Sequence, residues 1–171
     1  VKIFKDIEVL IDDLGLNDNS EWGTVPVYVT SGGFDPLHVG HMRCILETTD
    51  MADDDGGYVI VIVNGDGFLK RKKGGSFMPE TERAEIISGI SGVDAVLIWD
   101  DGSQTVTAAI EKINPTYFTK GGDRAMPEDI PEWDICAEIG CEVIFNVGGK
   151  KIQSSSWLLR NLDSSESNNS N

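Results

Sequence analysis

The segment Ser31-Gly-Gly-Phe-Asp-Pro-Leu-His-Val-Gly-His-Met42 holds both histidines of the chain, His38 and His41, with Gly40 between them. It follows an apolar run and precedes a stretch of helical spacing, so the pair falls where a strand turns into a helix. Two imidazoles at that spacing can face one point, and backbone N–H groups at the helix start favour an anion there. The chemistry this suits is stabilisation of a phosphate whose charge grows during a reaction. Gly32 and Gly33 allow a tight turn and a close backbone approach to a ligand. A zinc centre fits poorly, because the histidines lack the further Cys or His ligands and no His-Glu-x-x-His pattern occurs. There is no Gly-x-Ser-x-Gly elbow, no Gly-x-x-x-x-Gly-Lys phosphate loop, and no third glycine after Gly65-x-Gly67 to make a dinucleotide fingerprint.

The elements that must position these residues read as strands alternating with helices. Strands are predicted over 25–30, 58–63, 93–98, 116–119 and 142–145. Helices are predicted over 38–49, 80–87, 103–113, 131–139 and 154–162. The alternation predicts an α/β fold: a Rossmann-like, doubly wound, parallel five-stranded sheet with helices on both faces. Residues 1–24 read as an N-terminal helical extension, on a rough stripe of Ile3, Phe4, Ile7, Val9, Leu10 and Leu14. Residues 25–162 form the one domain, and 163–171 read as a disordered polar tail. In such sheets ligands bind beyond the carboxyl ends of the strands. The loops there, 31–41, 64–78, 99–104, 119–130 and 146–156, gather the histidine pair, Lys70-Arg-Lys-Lys73, Lys120-Gly-Gly-Asp123 and Ser154-Ser-Ser156.

Charge narrows the partners. The 171-residue chain carries 14 Lys and Arg against 29 acids, a net charge of −15, so the basic face that nucleic acid requires is missing. Four of those cations sit together at Lys70, Arg71, Lys72 and Lys73. They are either a solvated loop or a local field that draws a polyphosphate. No apolar run approaches the roughly 18 residues of a membrane span, and Val1-Lys-Ile-Phe-Lys-Asp lacks the features of a signal peptide. The three cysteines, Cys44, Cys136 and Cys141, form no C-x-x-C pair and read as reduced thiols of a cytoplasmic protein.

Gly33-Phe-Asp-Pro-Leu-His-Val-Gly-His41 resembles the signature of the His-x-Gly-His nucleotidylyltransferases, the cytidylyltransferase-like superfamily. Phe77-Met-Pro-Glu-Thr-Glu-Arg83 is similar to the Pro-x-x-x-Arg helix start of glycerol-3-phosphate cytidylyltransferases. Thr119-Lys-Gly-Gly-Asp123 is similar to the Lys-Gly-Gly-Asp of heptose-phosphate adenylyltransferases, and Ser154-Ser-Ser-Trp-Leu-Leu159 resembles their Ser-Thr-Thr stretch. The likeness spans about residues 26–160. It implies transfer of a CMP or AMP moiety from CTP or ATP to a sugar- or alditol-phosphate, with pyrophosphate released.

By the same resemblance His38, His41 and Lys73 are the catalytic residues. Gly33, Phe34, Asp35, Gly40, Lys72, Lys120, Gly121, Asp123, Ser154, Ser155 and Ser156 line the nucleotide site. Asp35 either structures its loop or touches the metal. Mg²⁺ is implied as the cofactor, carried on phosphates and water with few protein ligands. No nucleic-acid or membrane partner is implied, and a homodimer is compatible with the pattern. The chain departs from the family where an arginine often precedes the serine stretch; Lys150 or Lys151 stands near that place, without arginine's bidentate fork. The rival reading is a non-catalytic nucleotide-binding regulatory module of the same fold. The intact histidine pair argues against it, since binding alone tolerates its loss.

Overall fold

Six parallel strands form one sheet in the order β1-β4-β3-β2-β5-β6 in the computed structural model, which describes residues 1–17, 25–122, 124 and 126–167. The strands are β1 (Lys2–Phe4), β2 (Val27–Gly32), β3 (Tyr58–Asn64), β4 (Ala95–Trp99), β5 (Tyr117–Gly122) and β6 (Glu142–Lys150). The helices are α1 (Ile7–Asp13), α2 (Val39–Asp55), α3 (Asp66–Lys73), α4 (Glu80–Ser88), α5 (Thr107–Ile113), α6 (Trp133–Ile139) and α7 (Ser155–Ser167). Helices cover both faces, as a parallel sheet requires. The central strands are therefore near-continuous apolar runs, and Val59 to Val63 of β3 are all buried.

Alternation along each strand sorts the core into two layers. Val29, Ile60, Ile62, Leu97 and Phe118 pack with α1, α5 and α6 on one face. Tyr28, Val59, Val61, Val63 and Val96 pack with Ile45 of α2 and Ala84 and Ile87 of α4 on the other. The helix after β2 thus covers one face and the helix after β5 covers the opposite one, although β2 and β5 are neighbours. The chain reverses direction between these strands, and a crevice opens at their carboxyl ends.

Three sequence expectations are corrected. The five-strand count becomes six, because Lys2–Phe4 of the expected helical extension pairs with Ala95–Leu97 of β4. A three-residue edge strand is too short to show alternation, and its apolar residues merge with those of α1 into a false stripe. Part of that expectation, 18–24, lies outside the described residues. The basic segment expected as a loop is instead the last turn of α3. Glu80 Oε2 accepts from the Asp66 N–H at its start (2.8 Å), Phe68 and Leu69 are buried, and the terminal cations favour the helix dipole. Finally, α7 runs past Leu162 to Ser167, since no Gly or Pro stops it there; residues 168–171 lie outside the described residues.

Candidate active site

His38 caps α2 in extended conformation, and its ring is built into the cap. Its Nδ1 accepts from the Gly40 N–H (3.1 Å), and His41 Nδ1 accepts from the His38 N–H (3.3 Å). The backbone N–H groups of His38 and Gly40 are thus spent on the imidazoles, and what they achieve is orientation. With each Nδ1 an acceptor, the proton of each neutral ring sits on Nε2, so each ring offers an N–H donor. The rings stack at 3.7 Å between centroids and 22° between planes. Phe34, buried beneath, meets His41 edge-on at 5.1 Å. Gly40 is needed for this packing: a Cβ there would lie 3.0 Å from His38 Cε1.

Asp35 is 1% exposed and its carboxylate is committed. Oδ2 accepts from the Phe77 N–H (2.7 Å) and pairs with Lys73 Nζ (3.1 Å), while Oδ1 accepts from the Met78 N–H (2.7 Å). Lys73 also donates to the Asp35 carbonyl (2.9 Å). Of the two roles left open by the sequence, these bonds account for the structural one: Asp35 ties the histidine loop to the segment before α4.

Arg83 is the second tie. It is 1% exposed, and it donates to the carbonyls of Met78 (2.9 Å), Gly33 (2.8 Å) and Asn64 (2.6 Å) and to Asp66 Oδ1 (2.7 Å). One planar fork therefore joins the ends of β2 and β3 to the starts of α3 and α4. Burial pushes the Asp66 carboxyl upward, but the Arg83 bond, with those from the Glu80 N–H and Ser76, holds it below the ordinary carboxylate range.

The serine stretch closes the site from the opposite side. Ser154 Oγ accepts from the Trp157 N–H (3.2 Å), which makes Ser154 the helix cap. Ser155 Oγ donates to the Pro36 carbonyl (2.9 Å) and so joins α7 to the histidine loop. Ser156 Oγ lies 3.2 Å from Ser154 Oγ.

These parts line one cleft of about 500 Å³. It brings together Gly33, Phe34, His38, Gly40, His41, Lys72, Lys73, Lys120, Gly121, Ser154, Ser155 and Ser156, along with Lys150 and Lys151. Asp35 lies behind the wall, and Asp123 falls outside the described residues. Lys72 lies over the Phe68 ring at 5.8 Å. Lys120 lies over the Phe118 ring at 4.2 Å and donates to Ser31 Oγ (3.1 Å). Burial pushes its pKa below the ordinary lysine range, against the pull of Glu132. The site list read from sequence lacks Arg83, Asn64 and Glu132. Arg83 has a signal in Pro79-x-x-x-Arg83, and Asn64 is the first polar residue after the β3 run. Glu132 reads as an ordinary acid at a helix start, and only the fold shows it buried in the cleft wall.

Among the described residues no group of three or more His, Cys, Asp or Glu could hold a metal ion, and no helix is long and apolar enough to cross a membrane. The cytidylyltransferase-like family profile matches residues 29–155. The chain is 35% identical over 114 residues to the bifunctional protein HldE of Koribacter versatilis, covering 63% of this chain and 22% of that protein. It is 37% identical over 118 residues to the HldE of Hyphomonas neptunium, covering 67% of this chain and 23% of that protein. The chain thus spans under a quarter of the length of these relatives. The fold is similar to the crystal structure of the lipopolysaccharide core biosynthesis protein from Thermoplasma volcanium, with TM-score 0.57 at 20% identity, over 70% of this chain and 94% of that one.

Proposed function

Because the chain belongs to the cytidylyltransferase-like family of nucleotidyltransferases, we propose that it transfers a CMP or AMP moiety from CTP or ATP to a sugar- or alditol-phosphate and releases pyrophosphate. The observation that carries this reading is the stacked imidazole pair whose Nδ1 atoms both accept backbone N–H groups, which fixes both rings at the start of α2 in the cleft. An oxygen of the acceptor phosphate attacks the α-phosphorus, a new P–O bond forms, and the bond to the pyrophosphate oxygen breaks. The attacking oxygen is already anionic near neutral pH, so no general base is required. Catalysis reduces to alignment and to donors placed where charge grows. His38 and His41 supply those donors. Lys72, Lys73 and the start of α7 at Ser154, Ser155 and Ser156 hold the outer phosphates. Lys120 and Gly121 border the nucleotide. Mg²⁺ travels on the triphosphate and offsets its charge; with Asp35 committed to Lys73 and two backbone N–H groups, we assign it no protein ligand.

The direct test is a pyrophosphate-release screen, with CTP and ATP each offered a panel of sugar and alditol phosphates. Release that needs both substrates supports the reading; wild-type protein silent across the panel overturns it.

Two substitutions probe the parts. Lys72→Ala is expected to weaken triphosphate binding about tenfold at low salt and to flatten its salt dependence, because four adjacent cations stand out in a chain of net charge −15. Lys72 is a cleaner probe than Lys73, which also ties down Asp35. Equal affinities at two salt concentrations would make the cluster a solvated surface. Gly40→Ala is expected to leave the melting temperature nearly unchanged, since the crowded atoms belong to one side chain, yet to displace the His38 ring. Turnover then falls on the order of 10²-fold. Normal turnover in Gly40→Ala would show that the ring position is not what the glycine protects.

A further inference from the structure

Ile45 and Ala52 of α2 join the apolar layer on their side of the sheet, but between them Thr48 puts a hydroxyl into that interface. Thr48 is fully buried, and so is Thr119 of β5, which follows Tyr117 by two on the face that α2 covers. The two hydroxyls lie 2.8 Å apart. Thr48 Oγ1 spends its one proton on the Cys44 carbonyl (2.8 Å), so Thr119 Oγ1 donates to Thr48. Thr30 of β2, also buried, donates to the Thr119 carbonyl (3.2 Å) and lies 3.9 Å from Cys44 Sγ. A polar seam thus joins α2 to β5 and β2, and its ends at Thr30 and Cys44 line the cleft. Thr48 is costly to the helix. A branched side chain bonded back to the carbonyl four residues earlier is slightly destabilising, and a buried hydroxyl must be partnered. Alanine would avoid both costs.

What the seam supplies is direction. Apolar contacts are non-directional, whereas a hydrogen bond weakens steeply as its distance and angle depart from ideal. His41, Cys44 and Thr48 stand at i, i+3 and i+7, so they form one stripe along α2. His41 lines the cleft at the top of the stripe; at its foot Thr48 is bonded to Thr119, whose neighbour Lys120 lines the same cleft. The helix is close-set here: a Cβ on Gly148 would lie 2.5 Å from the Cys44 nitrogen, and Glu47 Oε2 accepts from the Gly148 N–H (2.6 Å). We propose that the Thr48–Thr119 hydrogen bond fixes α2 along and about its axis, and that Thr48 and Thr119 are positioning residues that set where His38 and His41 stand relative to Lys120 during transfer. The assignment rests on the transferase reading above and extends it to residues outside the cleft lining.

Two substitutions at 48 separate position from packing. Thr48→Val keeps the volume and removes the hydroxyl; Thr48→Ser keeps the hydroxyl and removes a methyl group. Packing alone ranks Val above Ser, and positioning ranks Ser above Val. Neither Thr48→Val nor Thr119→Val strands a polar atom, because Thr119 Oγ1 can turn to the Val29 carbonyl (3.4 Å) and Thr48 Oγ1 keeps the Cys44 carbonyl. Both are expected to melt within a few degrees of wild type. Pyrophosphate release is measured with CTP and ATP over the panel of sugar and alditol phosphates. Turnover is expected to fall about tenfold in each Val variant, with triphosphate KM within about threefold of wild type, since ring placement matters most in the transition state. The double Val variant is expected to lose no more than either single one, because the bond is already gone. Thr48→Ser is expected to hold turnover within about twofold of wild type, because the hydroxyl that carries the bond remains. Unchanged turnover in Thr48→Val, or a larger fall in Thr48→Ser than in Thr48→Val, overturns the proposal. The NMR signals of the imidazole Cε1–H groups give a readout without turnover, because the chain has two histidines and both line the cleft. They are expected to shift in Thr48→Val and to stay in place in Thr48→Ser. If wild type releases no pyrophosphate at all, the transferase reading fails by itself, and these signals decide the positioning: a shift confined to the Val variants upholds it, and signals unmoved in Thr48→Val overturn it.

Discussion

His41→Ala lowers turnover by about 10²–10³-fold, equivalent to roughly 3–4 kcal/mol of transition-state stabilisation, while triphosphate affinity changes by less than about tenfold. The ring donates through Nε2–H because its Nδ1 is held by the His38 N–H, and the charge it meets is largest when the α-phosphate is five-coordinate. His38→Ala behaves alike, since its Nδ1 is held by the Gly40 N–H. The double variant loses less than the product of the single losses, because two stacked rings act on one group. A glutamine at 41, whose amide N–H reaches towards the place of Nε2, recovers part of the loss; an asparagine, which mimics Nδ1, does not. Rapid-quench turnover with a verified acceptor, beside equilibrium titration of the triphosphate, separates the two quantities. Loss confined to affinity would make the histidines ground-state binders and remove the catalytic assignment.

The second large effect is on stability. Arg83→Met keeps the side-chain volume but strands the carbonyls of Gly33, Asn64 and Met78, and it costs about 3–5 kcal/mol. In a domain of this size that is a fall of roughly 10 °C in melting temperature. Arg83→Lys rescues little, because one ammonium cannot span acceptors on separate segments as the planar fork does. Asp66 is the smaller share, since its carboxylate is partly in water. Its folded pKa lies below the unfolded carboxylate value of about 3.9, so its contribution is complete above that pH and is lost as pH falls through the folded value. Arg83→Met is therefore expected to show a shallower acid destabilisation than wild type. A melting temperature within a few degrees of wild type would mean that water replaces the fork.

Much of this was legible before the fold was known. The buried run of β2 and the glycine-flanked histidine pair after it announce a βα turn, because a strand covered on both faces must be apolar throughout and the turn beyond it must be open. Two things were illegible for physical reasons. Edge strand β1 is too short to display a period, and α3 hides its helical face behind a run of cations whose charge suggests solvent. The polar work of the site was hidden too. Asp35 reads from sequence as a candidate for ligand contact, yet it spends its bonding capacity on other loops, as does Arg83. Which polar residue meets protein and which meets ligand depends on distances across the sheet edge, and no local pattern encodes them.

The central claim is in-line transfer of the α-phosphoryl group to a phosphate acceptor, with no covalent enzyme intermediate. It is tested most directly by incubating the protein with triphosphate labelled at the α-phosphate, with and without a hydroxylated acceptor phosphate, and following the label. The expected result is no label on the protein in either case, none released without acceptor, and label entering the acceptor conjugate in equal amount to pyrophosphate once acceptor is added. Label retained on the protein, or orthophosphate released in place of pyrophosphate, would contradict the account.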